Sequence, residues 1–213
     1  MTMALLSSAG PPRINGLRGR ALDVAMRLIE VQGPEAVNVR DIAAELDTGP
    51  ASLYYHFASK DALLAELAAA GFRLLEATLS SAVKDGRGRN ALHACGDGYL
   101  HFLRDHPMLY RVMYNERLLS QHSVARLAEQ RAFEAFARAL ASVSPQDTHG
   151  ADAAMALWAL GRGIGALTMA TGPAEGGARE LAQQIVRGLE AIMGRPVRQA
   201  GAFTPGADAD LEA

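Results

Sequence analysis

Apolar residues recur at intervals of three and four along most of this chain, the spacing that places them on one face of a helix. The first such stripe contains Leu22, Ala25, Met26 and Ile29, and the Gly-Pro pair at positions 33–34 predicts its end. Alanine and leucine dominate the composition, and runs of β-branched residues are nearly absent. The pattern therefore predicts an all-α fold.

Two short helices are predicted after this stripe. Asn38 can cap a helix over residues 39–46, with Asp41 at the partner position of a capping-box variant. Residues 47–50 predict a turn, because aspartate tolerates left-handed dihedrals and proline fits the first turn of a helix. Two short helices joined by a turn of about three to four residues form a helix-turn-helix, and the first stripe can close a three-helix core with them.

The helix after the turn combines a buried face with an aromatic one. Leu53 and Phe57 lie four residues apart, so both can enter a core. A helix this short cannot also bury Tyr54, Tyr55 and His56. Exposed aromatic residues at this density indicate a contact surface rather than an ordinary solvated face.

The next helix is predicted to begin with Ser59 as its N-cap and Lys60 in its first turn. A lysine there opposes the helix dipole, so helix stability does not explain it. A helix N-terminus that carries a cation does suit a phosphate group. Aromatic side chains beside a phosphate site indicate nucleic acid as the partner.

Residues 18–64, about a fifth of the chain, resemble the DNA-binding domain of the tetracycline-repressor (TetR) family of bacterial transcription regulators. The family usually has glycine where this chain has Asp47, which leaves the geometry of the turn open. The residues that carry the resemblance stand at the family's spacing: Ala25, Gly33, Val39, Ile42, Ala43, Leu53, Tyr54, His56, Phe57, Lys60, Leu63 and Leu64.

The resemblance implies a cytoplasmic, homodimeric, ligand-responsive transcription regulator, most often a repressor, whose partner is double-stranded operator DNA. Ligand binding would move the helix that links the two domains, and the two DNA-binding domains would leave the ~34–36 Å spacing of successive major grooves. We expect Pro50, Ala51 and Tyr54 to contact base edges. We expect the following residues nearer the phosphates: Arg40, Thr48, Ser52, Tyr55, His56 and Lys60.

Four segments are predicted from the patterning: a disordered basic arm (1–14), the helix-turn-helix domain (15–62), a ligand-binding and dimerisation domain (63–194) and a disordered tail (195–213). The formal net charge is −2, so bulk charge does not explain DNA binding. Arg13, Arg18 and Arg20 do precede the first helix without an intervening acid. We therefore expect modest non-specific affinity, with specificity set by individual contacts.

The second domain carries an aromatic and sulfur-rich set of residues that could line a pocket for a mainly apolar small molecule. Arg162, one turn after Trp158, could meet an anionic or polar group of that molecule. The alternatives are ordinary core for the aromatic residues and a surface salt bridge for Arg162. The predicted pocket residues are Phe102, Tyr110, Met113, Tyr114, Phe133, Trp158 and Arg162, with Tyr99 and Phe136 in the same pattern.

His106-Pro107-x-x-Tyr110-Arg111, together with Trp158, also looks like one C-terminal domain type within the family. That type often has His-Gly after its tryptophan, where this chain has Arg162-Gly163, and its ligand chemistry does not carry over.

The segment Gly161-Arg162-Gly163-Ile164-Gly165-Ala166 formally matches a dinucleotide fingerprint, but no strand precedes it. Small residues at this spacing instead predict close helix packing at a dimer interface, formed by helices over 152–169 and 178–193. A helix kink is the alternative.

Other functional classes find little support in the sequence. The histidines have no zinc-ligand spacing and no catalytic motif is present, so neither a metal, a cofactor nor an enzyme is predicted. The single Cys95 suits a reducing cytoplasm. No uninterrupted apolar stretch reaches ~18 residues, so no membrane partner is expected. The competing hypotheses are a helical small-molecule-binding protein without operator binding, and an enzyme that uses the cavity near Trp158.

Overall fold

The computed structural model describes residues 16–85, 89–143, 150–171 and 177–192, and helices form most of them, with no strand within these ranges. The all-α prediction is confirmed. The predicted arm and tail lie outside the described residues, and the predicted domain boundaries stay predictions. The helices are α1 (Leu17–Gln32), α2 (Val39–Glu45), α3 (Pro50–His56), α4 (Lys60–Asp85), α5 (Arg89–Asp105), α6 (Pro107–Met113), α7 (Glu116–Gln121), α8 (Ser123–Val143), α9 (Gly150–Thr171) and α10 (Gly177–Ile192).

Helices α1 to α9 belong to one compact unit, residues 1–173, and α10 belongs to a second, residues 174–213. In the first unit, α1, α2 and α3 pack against one another as the predicted three-helix domain. Ile29, Ile42 and Leu53 supply one fully buried side chain from each of the three helices. Apolar burial therefore fixes α3 from its inner side and leaves its outer side for contact.

The 26-residue α4 connects this N-terminal domain to the helices that follow. Leu63 and Leu67 join the core of the N-terminal domain, whereas Phe72, Leu75 and Leu79 are buried further along the same helix. Leu64, Ala68, Phe72, Leu75, Leu79 and Val83 are buried at spacings of three and four, so one apolar face runs the length of α4. Helices α5, α6 and α8 pack on α4, and α9 packs on α5, α6 and α8.

The glycines of α9 differ in what they face. A Cβ added at Gly165 would lie 2.3 Å from the Tyr110 hydroxyl, and one at Gly161 would lie 2.9 Å from the Tyr99 ring. A Cβ at Gly163 would meet no described atom within 4 Å. The predicted close packing is confirmed, but the prediction that it occurs at a dimer interface is wrong for Gly161 and Gly165, because both accommodate tyrosines of the same subunit.

One segment, Asp152–Ala170 in α9, is long and apolar enough to cross a membrane by length and composition. The same test is passed by core helices of proteins that do not span membranes. In this chain the segment buries Trp158 and Ile164 against neighbouring helices and carries Arg162 at its middle. The subunit buries 28% of the segment, so packing accounts for part of its apolar character and leaves an exposed apolar side.

Gly165→Ala should lower the free energy of unfolding by about 1–3 kcal/mol, because the new methyl group overlaps the ring of Tyr110, which is 2% exposed. Gly96→Ala is the matched control, since Gly96 lies in α5 and its Cβ would meet no described atom within 4 Å. That change should raise stability by about 0.5–1 kcal/mol through helix propensity. Urea unfolding measures both, and equal effects would contradict the inward placement of Gly165.

Candidate DNA-binding and effector sites

The turn between α2 and α3 has the geometry expected of a helix-turn-helix. Asn38 Oδ1 accepts hydrogen bonds from the backbone N–H groups of Arg40 (2.8 Å) and Asp41 (3.0 Å), which confirms the predicted cap. Asp47 adopts a φ of 49°, the left-handed conformation that the family's glycine would supply. The Thr48 N–H then donates to the Ala43 carbonyl at 3.0 Å, so the departure from glycine leaves the turn intact.

Helix α3 buries one side and presents the other. Leu53 and Phe57 are 1% and 3% exposed, whereas Tyr54 and Tyr55 are 51% and 88% exposed. Thr48 and Lys60 are half-buried. The other predicted contact residues of this region are exposed: Arg40, Pro50, Ala51, Ser52 and His56. Pro50, Ala51 and Tyr54 share one face of α3 by helical spacing. The structure thus places the predicted base-contacting residues together.

Lys60 has a partner that its sequence position does not reveal. The Ser59 hydroxyl caps α4 by accepting from the Ala62 N–H at 3.0 Å, as predicted. The Lys60 ammonium donates to the Glu35 carbonyl at 2.9 Å, across the N-terminal domain. A phosphate contact by Lys60 must therefore compete with this hydrogen bond.

Arg18 and Arg20, expected before the first helix, both lie in the first turn of α1. Arg18 has partners there. Its guanidinium pairs with Glu66 of α4 and lies 5.7 Å from the centroid of the Phe57 ring. These contacts fix α1 to the beginning of α4. Arg18 consequently has a structural role, and Arg20 is the exposed arginine of this segment.

Glu30 connects the N-terminal domain to α6. Its carboxylate accepts from the backbone N–H groups of Met108 (3.2 Å) and Leu109 (3.0 Å). Pro107 opens α6 and His106 makes no side-chain cap, so the first turn of this seven-residue helix receives its cap from α1. A carboxylate at a helix N-terminus also interacts favourably with the helix dipole.

Two exposed ion pairs cross the same boundary. Arg111 pairs with Glu35 at 2.8 Å, and Arg117 contacts both carboxylate oxygens of Asp61 at 2.7 and 2.8 Å. Such exposed pairs contribute little to stability, about 0–1 kcal/mol each. Glu30, which satisfies two backbone donors, is the stronger link.

In the second domain, Trp158 of α9 packs on two aromatic rings of α8. The ring centroids lie 5.7 Å from Phe133 and 6.0 Å from Phe136. Glu129 lies one turn before Phe133 in α8, and Arg162 lies one turn after Trp158 in α9. Glu129 Oε1 is 3.6 Å from Arg162 Nη1. The two helices are therefore antiparallel neighbours whose side chains meet turn by turn.

Three tyrosines lie beside this pair. The Tyr99 hydroxyl is 3.4 Å from that of Tyr110 and 3.5 Å from that of Tyr114. Tyr110 donates to the backbone carbonyl of Arg162 at 3.1 Å, and the Arg162 guanidinium lies 5.0 Å from the centroid of the Tyr114 ring. We call Tyr99, Tyr110 and Tyr114 the tyrosine relay, and define the effector cluster as this relay with Glu129, Phe133, Trp158 and Arg162.

Burial governs ionisation in the effector cluster. It raises the pKa of Tyr110 to about 12 and the pKa values of Tyr99 and Tyr114 well above their usual range. The three hydroxyls therefore keep their protons at neutral pH. Burial also raises the pKa of the Glu129 carboxyl, and the nearby Arg162 guanidinium opposes that rise.

The predicted pocket residues divide into two groups. Tyr110, Tyr114, Phe133, Trp158 and Arg162 come together in the effector cluster. The other two have core contacts: Met113 is buried against Gly71 of α4, and Phe102 packs on His106 with centroids 5.3 Å apart.

Glu129 is the residue that sequence reasoning missed. It precedes Phe133 by four residues as Arg162 follows Trp158 by four. Once Phe133 and Trp158 are paired across antiparallel helices, this spacing brings the two charges together.

Two family models match the chain. Residues 21–67 match the bacterial regulatory proteins of the tetR family, and residues 92–192 match the tetracycline repressor-like C-terminal domain. A curated relative is the uncharacterized HTH-type transcriptional regulator YobS of Bacillus subtilis, 26% identical over 99 residues, which are 46% of this chain and 52% of YobS. The match thus spans about half the length of that relative.

Solved structures share the fold. A protein of unknown function from Rhodococcus sp. RHA1 superposes with a TM-score of 0.63 at 24% identity, over 84% of this chain and 97% of that one. PfmR from Thermus thermophilus has a TM-score of 0.57 at 24% identity, over 80% of this chain and 99% of that one. The ketosteroid transcriptional regulator KstR2 of Mycobacterium tuberculosis has a TM-score of 0.52 at 22% identity, over 84% of this chain and 95% of that one. With both domains matched in order, the chain belongs to the TetR family of bacterial transcriptional regulators, which are DNA-binding proteins and not enzymes.

Proposed function

We propose that this protein is a homodimeric repressor that leaves its operator when a mainly apolar small molecule binds at the effector cluster. The observation that carries the proposal is the two-sided character of α3, which buries Leu53 and Phe57 and exposes Tyr54 and Tyr55. Exposed aromatic side chains on a fixed helix are unfavourable in water and become favourable when a partner covers them, so they indicate an interface.

On the DNA side, α3 is the helix that enters the major groove. Pro50, Ala51 and Tyr54 face the base edges, where alanine and tyrosine favour apolar contact with thymine methyl groups. The surrounding polar residues contact phosphates and fix the position of the helix on the duplex. They are Arg40, Thr48, Ser52, Tyr55, His56 and Lys60.

The exposed side of α9 is the proposed dimer interface. Its exposed apolar and small residues repeat at helical spacing, and Met155 and Leu167 are 53% and 49% exposed. This mainly apolar face, with Arg162 at its edge, gains free energy when a second copy covers it. The face consists of Met155, Ala156, Ala159, Gly163, Ala166, Leu167 and Ala170.

Coupling between the two sites has a physical carrier in α6. Tyr110 on this helix hydrogen-bonds within the effector cluster, and its N-terminus is held by Glu30 of the N-terminal domain. A ligand that binds beside Tyr110 and shifts α6 as a whole disturbs the bonds to Glu30. Release of DNA then requires that the ligand bind the displaced state more tightly than the resting one.

DNA binding is tested by gel shift with the DNA that flanks the protein's own gene. Tyr54→Ala should reduce discrimination between this DNA and random duplex, whereas Lys60→Ala should weaken both equally and flatten the salt dependence by about one unit. Lys84→Ala, an exposed lysine at the other end of α4, is the control and should change neither. If the intact wild type binds no DNA, a helical small-molecule-binding protein becomes the better description.

Ala166→Glu should convert the dimer to monomer and abolish operator binding, because it places a charge at the centre of an apolar interface on both subunits. Ala77→Glu is the matched control, since Ala77 is an exposed alanine of α4. Light scattering measures the mass of both variants. A dimeric Ala166→Glu variant that still binds operator would place the interface elsewhere.

Glu30→Ala should lower the free energy of unfolding by about 0.5–2 kcal/mol, as the loss of a helix cap does. Hydrogen exchange at the Met108 and Leu109 amides should accelerate, because both lose their acceptor. Glu35→Ala, which removes the exposed pair with Arg111, should have a smaller effect on stability. Unchanged exchange at the two amides would show that α6 is not held by Glu30 in solution.

A further inference from the structure

The polar part of the effector cluster contains one cation and one anion. The Arg162 and Glu129 side chains, 44% and 20% exposed, approach to 3.6 Å. Their charges are opposite, so they cancel locally, and the ring of Tyr114 covers the guanidinium at 5.0 Å. A guanidinium alone would recruit anions, whereas this one already has a carboxylate beside it.

We propose that the effector cluster takes an uncharged, mainly apolar molecule that donates a hydrogen bond, such as a phenol or an alcohol, and that Glu129 is the residue that excludes anions. This proposal rests on the effector site proposed above. The sequence left two expectations for Arg162, an anionic or polar ligand group or a salt bridge, and the pair with Glu129 is the salt bridge.

The exclusion of anions follows from the distances. An anion that binds the Nη1 side of the Arg162 guanidinium comes close to the Glu129 carboxylate, and like charges in a partly desolvated site repel each other. A cation meets the corresponding repulsion from Arg162. An uncharged molecule meets neither and leaves the ion pair in place.

The requirement for a donor follows from the direction of the tyrosine relay. The Arg162 carbonyl can only accept, so the single hydroxyl proton of Tyr110 is directed to it. Tyr99 then donates to Tyr110 at 3.4 Å, which leaves the Tyr99 oxygen as an acceptor for the Tyr114 hydroxyl at 3.5 Å. The Tyr114 oxygen at the start of the relay keeps its lone pairs, which accept a hydrogen bond from the ligand.

The apolar part of the ligand has aromatic neighbours. Phe133 and Trp158 pack edge to face with centroids 5.7 Å apart, one turn from the ion pair. A compact ring with one hydroxyl group combines contact with these rings and a hydrogen bond to Tyr114.

The test is calorimetric titration of the full-length dimer, without DNA, with three matched probes: para-tert-butylphenol, its methyl ether para-tert-butylanisole, and para-tert-butylbenzoate. We expect wild type to bind the phenol at least about tenfold more tightly than either of the others. Tyr114→Phe should abolish the difference between phenol and ether, because it removes the acceptor.

Charge variants separate an electrostatic role of Glu129 from a structural one. Glu129→Gln keeps the shape and leaves Arg162 without this carboxylate, so the benzoate should gain about tenfold while the phenol changes little. Arg162→Gln should not admit the benzoate. Combining Glu129→Gln with Arg162→Gln removes both charges and should return the benzoate to its weak wild-type binding.

Three results would overturn the proposal: benzoate binding by wild type as tight as phenol binding, no gain of benzoate binding in Glu129→Gln with an unchanged melting temperature, or no binding of any probe by any variant. Because DNA is absent from these titrations, failure here leaves the operator assay as a separate test of the proposed function.

Discussion

The apolar face of α4 is the constraint on which both halves of this protein depend. Its first turns complete the core of the N-terminal domain through Leu63 and Leu67, and its later turns bury Phe72, Leu75 and Leu79 among the helices that follow. One continuous helix cannot change its position in one core without changing it in the other, because packed interiors resist small displacements. The exposed face of α3 and the effector cluster are thus mechanically connected before any ligand is considered.

Hydrogen bonds at α6 form a second connection between the N-terminal domain and the effector cluster. Glu30 holds the N-terminus of α6, and Tyr110, on the same short helix, hydrogen-bonds to α9. A seven-residue helix has little stability of its own, so its position is set by what it touches at each side. Movement at Tyr110 therefore has an immediate consequence at Glu30.

Features that depend on neighbours in sequence could be predicted, and those that depend on distant partners could not. The Asn38 cap and the burial of Leu53 and Phe57 follow from spacings of two to four residues. Lys60 bonds to a carbonyl 25 residues away and Arg18 to a carboxylate 48 residues away. No local pattern encodes such distances, so both arginine and lysine looked more available for DNA than they are.

In the effector cluster, the sequence pattern predicts side-chain contacts only once the register of α8 against α9 is known. The glycine spacing of α9 correctly indicated a close approach, but symmetry mates and tyrosines of the same subunit satisfy that spacing equally well. The contact of Trp158 with Phe133 fixes the register of α8 against α9, and the next turn then pairs Arg162 with Glu129. In sequence Arg162 could meet an anionic or polar group of a ligand, but in the fold Glu129 balances its charge. The ligand chemistry that Arg162 supports therefore depends on Glu129.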